Sequence, residues 1–185
     1  KTNDGLISLS CDDNSLSTDK ENLVIKAAEL LRKISEQKVG ASIHLRKRIP
    51  IGAGLAGGSA DGAAALLGLN YLWGLQLTVS QLEKLSAELG SDVPFCLEGG
   101  TQLCFGRGEC LEKLNSGDTS MAVLLVKDPR VSVSTPWAYG RSKKLFSSSY
   151  LNDEHDFEER RKLLREATWF KGVPSNQRIS IRNDL

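Results

Sequence analysis

Four glycines fall within the eleven residues Pro50-Ile51-Gly52-Ala53-Gly54-Leu55-Ala56-Gly57-Gly58-Ser59-Ala60. Each glycine costs roughly 0.5–1 kcal/mol of chain entropy relative to alanine, and a plain turn needs only one or two of them. Glycine lets backbone N–H groups approach an anion. A helix that starts just behind adds unpaired N–H donors and about half a positive charge. Together these hold a phosphate without a lysine side chain. The stretch is read as a phosphate cradle, against the alternative of a tight turn with no ligand. Ser59 carries a hydroxyl at the expected helix start, where it can touch phosphate or Mg²⁺, or cap the helix; the two roles are compatible. A second chemical group is Asp92, in Gly90-Ser91-Asp92-Val93-Pro94-Phe95. A carboxylate there can accept a hydroxyl proton, although spacing alone reads it as a turn or N-cap aspartate before Pro94.

Gly52-Ala53-Gly54-Leu55-Ala56-Gly57 also matches the dinucleotide pattern G-x-G-x-x-G. That match is weak by itself. A dinucleotide loop follows a buried, almost wholly apolar parallel strand, whereas here His44, Arg46, Lys47 and Arg48 precede it and Pro50 leads in. A Walker A loop is excluded because no Gly-Lys-Ser/Thr follows. Lys47 and Arg48 can face a nucleotide phosphate; a solvated strand face is the default.

The elements that must position these groups follow from periodicity. Ile7 and Leu9 alternate with serines, which suits a short strand. Thr18-Asp19-Lys20-Glu21 has the form of a capping box, ahead of a helix over residues 22–37 with Leu23, Ala27, Leu30, Leu31 and Ile34 on one face. Residues 41–51 alternate apolar with polar, as a strand with one wet side does in an antiparallel sheet. A helix over 59–73 follows the loop, with Ala60, Ala63, Ala64, Leu67 and Tyr71 lining a buried side. Another spans 78–89, capped by Thr78 or Ser80, with Gly90 beyond its end. Gly90 to Phe95 is a turn or a short helical start, 99–105 a strand, and 106–108 a tight connection before 109–114. A domain break is expected at 115–118, a well-buried strand at 121–127, and a solvated helix pair over 143–165.

Bulk properties narrow the partners. The 185 residues carry 24 basic and 23 acidic side chains, a net charge of +1, so bulk charge predicts neither nucleic-acid nor membrane partners. No apolar run approaches the ~18 residues of a membrane span. The chain starts without Met and without a signal-peptide layout. Cys11, Cys96, Cys104 and Cys110 form no C-x-x-C pair, and only His44 and His155 are at hand, so the thiols read as small apolar side chains in a reducing cytosol rather than a metal site.

The stretch from Pro50 to Ala60 resembles the second motif of the GHMP kinases, Pro-x-Gly-x-Gly-Leu-Gly/Ala-x-Ser-Ser/Ala. The continuation Gly57-Gly58-Ser59-Ala60-Asp61 is closer still to the branch that phosphorylates a cytidine-diphosphate sugar alcohol for isoprenoid precursors. Leu89-Gly90-Ser91-Asp92-Val93-Pro94-Phe95 with Gly99-Gly100-Thr101, then Gly106-Arg107-Gly108-Glu109, resemble later segments of that branch in the same order. Asn22-Leu23 with Ala27-Ala28 resembles its helix before the ATP loop.

The resemblance implies transfer of the ATP γ-phosphoryl group to a substrate hydroxyl, with Mg²⁺. It implies that Pro50, Ile51, Gly52, Ala53, Gly54, Leu55, Ala56, Gly57, Gly58, Ser59 and Ala60 bind ATP, that Asn22 sits near the adenine, against the reading of a polar residue at a helix start, and that Asp92 accepts the hydroxyl proton or orients that hydroxyl. Ser134-Thr135-Pro136-Trp137-Ala138-Tyr139 resembles the segment holding the cytidine group: Thr135 would set register and Tyr139 would stack on the base, against a surface turn with an aromatic anchor.

The implied fold is α+β. A GHMP kinase N-terminal domain, like ribosomal protein S5 domain 2, would cover 1–118, and a ferredoxin-like C-terminal domain would begin over 119–185. The family's first motif, whose lysine pairs with the catalytic aspartate, has no counterpart in these residues. Neither has its third, glycine-rich motif, although Asn183-Asp184-Leu185 resembles the segment before it. Residues 1–185 alone are therefore expected to be inactive, with an exposed sheet edge. The implied compartment is bacterial cytoplasm or plastid stroma. The competing readings are a homoserine or mevalonate-type kinase, an NAD-binding oxidoreductase, and a non-catalytic nucleotide-binding module.

Overall fold

The computed structural model describes residues 1–2, 4–35, 38–114, 122–128, 130–151 and 153–166. They divide into two units, Lys1–Glu112 and Lys113–Leu185. The expected break at 118–119 lies outside the described residues.

The first unit begins as a strand–helix–strand: β1 (Ile7–Cys11), α1 (Leu23–Ile34) and β2 (Ala41–Leu45). β2 runs parallel to β1, in register from Ile7 opposite Ala41 to Cys11 opposite Leu45. This corrects the antiparallel expectation. Alternation reports only that one face is wet; it is the helix between the strands that returns the chain in the same direction. Ser8, Ser10, Ser42 and His44 do face water, and Ser10 Oγ meets His44 Nδ1 at 2.9 Å on that face. Ile7 and Ile43 turn the other way and pack on the core. The second strand ends at Leu45 rather than 51, because the chain from Arg46 onward leaves the ladder to approach the glycine loop.

The expected capping box at Thr18 does not form. Asn22 caps α1 instead: its Oδ1 accepts from Val24 N at 2.9 Å, and its Nδ2 donates to Ser17 O at 2.7 Å. Asp19 turns its carboxylate to Glu21 N. The buried face of α1 is Val24, Ile25, Ala27, Ala28 and Leu31. Of the residues expected on it, Ile34 is exposed and Leu23 and Leu30 are half-buried.

α2 (Gly57–Trp73) packs on α1. Its buried residues are Gly62, Ala63, Leu66, Leu69 and Trp73, so of the face expected from sequence only Ala63 is buried. Ala64, Leu67 and Tyr71 point outward, Tyr71 with 89% of its surface exposed. A helix so rich in alanine and glycine has little amphipathic contrast, and periodicity cannot choose its buried face. Close approach chooses it: a Cβ on Gly62 would lie 3.3 Å from Leu23 Cβ. Trp73 closes the core, its indole N–H donating to Gly40 O at 3.2 Å.

Thr78 caps α3 (Val79–Ser86) in a reciprocal capping box with Gln81. α4 (Val93–Glu98) packs against both α2 and α3 and buries Val93 and Pro94. β3 (Gln102–Phe105) and β4 (Cys110–Lys113) pair across the short connection at 106–109. In this unit helices and strands mix as α+β.

The described part of the second unit holds α5 (Thr135–Leu145), a 3₁₀ turn (Ser147–Ser149) and α6 (Glu154–Glu166). Of the buried strand expected at 121–127, the described residues 122–127 form none: 122–128 are irregular and exposed, Leu124 at 87% and Val126 at 88%. An apolar run becomes a buried strand only when neighbours pair with it and cover it, and among the described residues none does. α6 is solvated along its length, as expected of a segment so charged. No described helix is long and apolar enough to cross a membrane.

Candidate active site

The glycine stretch is an irregular loop ending in the first turn of α2. Gly52, Gly54 and Ala56 have φ of 64°, 70° and 50°. A chain that enters the left-handed region at every second residue curls, and its amides can then face a common anion. Ala56 is the N-cap of α2 and offers no side-chain acceptor. The first amide bonded back into the helix is Ala60 N, to Ala56 O at 2.9 Å. The N–H groups of Gly57, Gly58 and Ser59 precede it and are unpaired by helix geometry. A Cβ on Gly54 would meet nothing within 4 Å, so the loop opens outward. An uncapped helix end, preceded by a curled open loop, fits a nucleotide phosphate group.

Ser59 is not the N-cap. The helix starts two residues earlier, because both Gly57 and Gly58 take helical geometry, and Ser59 becomes its third residue. Its hydroxyl meets no partner among the described residues. Of Ser59's two roles read from sequence, capping is therefore not used.

Sequence reasoning missed the arrangement beneath the loop. Asp12, just past β1, receives Lys47 N at Oδ1 (2.7 Å) and Arg48 Nη1 at Oδ2 (2.9 Å). The Lys47 N–H, with help from the Arg48 guanidinium, holds the Asp12 carboxyl below the usual range against its partial desolvation. Lys47 does not lie on a solvated face, as its default reading had it. Its side chain is only 5% exposed, and its Nζ is paired with Asp61 Oδ2 on α2. Alternation in 41–51 put Lys47 on the apolar side of the strand, and that was the available signal. Its charge argued the other way.

Asp92 stands at the N-cap position of α4, yet its side chain makes no capping hydrogen bond. The carboxylate is exposed. Its neighbour Val93 is buried in the same cluster as Leu66 and Trp73 of α2. A Cβ on Gly108 would lie 3.6 Å from Ser91 O and 3.9 Å from Asp92 Oδ1, so the 106–109 connection closes over the start of α4. Two sequence motifs, around Asp92 and around Gly108, are thereby brought together. All four cysteines are free thiols. Burial pushes the Cys96 and Cys104 thiols up, and the nearby negative charge of Asp92 pushes them further.

Asn22 uses its amide to cap α1 and to hold Ser17 O. Thr135 and Tyr139 lie in the other unit, on the first two turns of α5; Thr135 is the first helical residue, and Tyr139 is 55% exposed.

Known proteins resemble this chain over long stretches. The family described as GHMP kinases N terminal domain matches residues 22–100. The chain is 63% identical over 185 residues to a 4-diphosphocytidyl-2-C-methyl-D-erythritol kinase of Prochlorococcus marinus (strain MIT 9313), matching 100% of this chain and 58% of that protein. It is 60% identical over 185 residues to the kinase of the same name from Synechococcus sp. (strain CC9902), of which it covers 60%. A crystal structure of 4-(cytidine 5'-diphospho)-2C-methyl-D-erythritol kinase superposes with a TM-score of 0.57 at 33% identity, over 86% of this chain and 55% of that one. The chain thus spans about three-fifths of the length of the relatives it matches.

Proposed function

Because residues 22–100 belong to the GHMP kinases, we propose that this chain serves the ATP-dependent phosphorylation of the 2-hydroxyl of 4-diphosphocytidyl-2-C-methyl-D-erythritol, in the non-mevalonate route to isoprenoid precursors. The observation that carries the reading is the uncapped start of α2 behind a loop with three left-handed residues. It is joined by an uncommitted carboxylate, Asp92, on a helix that packs against α2.

When bound, ATP supplies the phosphoryl group, and Mg²⁺ neutralises part of its charge. The backbone N–H groups from Gly52 to Ser59 hold the β- and γ-phosphates, and the Ser59 hydroxyl turns to phosphate or to Mg²⁺. Asp92 accepts the proton of the attacking hydroxyl, or aligns that hydroxyl. Its freedom from a capping bond leaves both oxygens available for this. Asn22 borders the adenine, Thr135 sets the register of the cytidine group, and Tyr139 stacks on its ring. The site works in solution, in the cytoplasm or plastid stroma.

The test is a coupled assay of ADP release by the complete protein, with the cytidine substrate, homoserine and mevalonate offered in parallel. Turnover is expected only with the cytidine compound. Asp92→Asn is expected to lower kcat by about 10²–10⁴-fold with ATP affinity retained. Binding of NADH in preference to ATP, or near-normal turnover by Asp92→Asn, would sink the proposal.

A further inference from the structure

The Lys47–Asp61 ion pair lies at an unusual place. Lys47 follows β2 by two residues, and Asp61 is the fifth residue of α2. The glycine loop is the chain between them, so the pair ties the two ends of that loop together. The lysine side chain is 5% exposed and the aspartate 18%. The ammonium lies 3.1 Å from where a Cβ of Gly57 would stand, directly against the first turn of α2. A cation at a helix N-terminus has the wrong sign for the helix dipole, and burying it adds a desolvation penalty. Asp61 offsets both. From the other side, Asp12 clamps Lys47 N and the Arg48 guanidinium. The segment leading into the loop is thus held from β1, from its own strand and from α2.

A buried pair of this kind contributes little net stability compared with apolar residues of the same shape, but it admits few alternative geometries. We propose that Lys47 and Asp61 are positioning residues for the nucleotide loop: the pair sets the angle at which the loop amides meet the phosphates, and Lys47 acts through the loop rather than as a phosphate ligand. This rests on the ATP reading of the site.

The test uses the complete protein and three variants: Asp61→Asn, Lys47→Met and the exchanged pair Lys47→Asp/Asp61→Lys. Dissociation constants for ATP and ADP are measured by calorimetry, and amide hydrogen exchange at 52–59 is measured without ligand. Each single variant is expected to weaken ATP and ADP alike by about tenfold, which corresponds to roughly 1.4 kcal/mol, and to speed exchange in the loop; the exchanged pair recovers part of both. If Asp61→Asn binds ATP as well as or better than the wild type while Lys47→Met binds it worse, Lys47 is a phosphate ligand and the inference is overturned. Loop exchange unchanged in every variant also overturns it. Wild-type protein that binds neither nucleotide removes the ATP reading, while the exchange data still report whether the pair orders the loop. Should none of the variants fold, the pair is a fold-holding element and not a positioning one.

Discussion

Two glycines of the same helix should respond to alanine with opposite sign. In a helix interior alanine is favoured over glycine by roughly 0.8–1.0 kcal/mol. At Gly68, mid-helix and exposed, an added Cβ meets nothing within 4 Å, so Gly68→Ala should realise that gain and stabilise by about 1 kcal/mol. At Gly57 the same methyl would lie 2.8 Å from Ile49 Cγ2, 3.0 Å from Ile49 Cβ and 3.1 Å from Lys47 Nζ. The shortest contact is about 0.7 Å inside a normal carbon–carbon approach of ~3.5 Å. Ile49 Cβ is close to its backbone and cannot rotate away, and Lys47 is held by Asp61. Overpacking of this kind costs about 1–3 kcal/mol, which outweighs the smaller propensity gain at a first-turn position. Gly57→Ala should therefore lose about 1–2 kcal/mol, leaving the two variants about 2–3 kcal/mol apart. Urea unfolding followed by circular dichroism, with the slope of the transition unchanged, measures both. Equal stability of Gly57→Ala and Gly68→Ala would refute the packing of the loop approach against α2.

Two further outcomes follow from charge. The Asp12 carboxyl is held low, first by the Lys47 N–H and then by Arg48. A depressed folded pKa stabilises above the unfolded value of about 3.9, and that contribution is lost as pH falls through the lower folded value. Wild-type stability should therefore fall more steeply than that of Asp12→Asn as pH drops from about 5 toward 3; parallel curves would show that the clamp is not formed. Cys104 is raised by burial and then by the charge of Asp92. Asp92→Asn should lower that thiol and speed its alkylation at pH 8, read peptide by peptide by mass spectrometry against Cys110, which is exposed like Cys104. An unchanged rate would place the Asp92 carboxylate away from Cys104.

The chemical groups were legible because their signals are local. The crowded glycines before a helix and the turn around Asp92 are written in adjacent residues, and both appear in the structure at helix starts. The resemblance of these motifs to the GHMP kinases agreed with the relatives found. What sequence could not decide depended on residues far apart along the chain. Alternation in β1 and β2 showed a wet face but not strand direction, which the α1 crossover sets. Alanine and glycine gave α2 no contrasting face, so contact with Leu23 chose Gly62 and Ala63 as buried. Thr18 and Asn22 both had the chemistry to cap a helix; the turn at 17–22 decided for Asn22. Lys47 looked like a solvated cation because charge normally dictates exposure, and only the fold brings Asp61 across the loop to receive it. Residue type thus determined which groups can bind phosphate or take a proton. Tertiary structure decided which of them are free to do so, because freedom depends on what else has already been bonded.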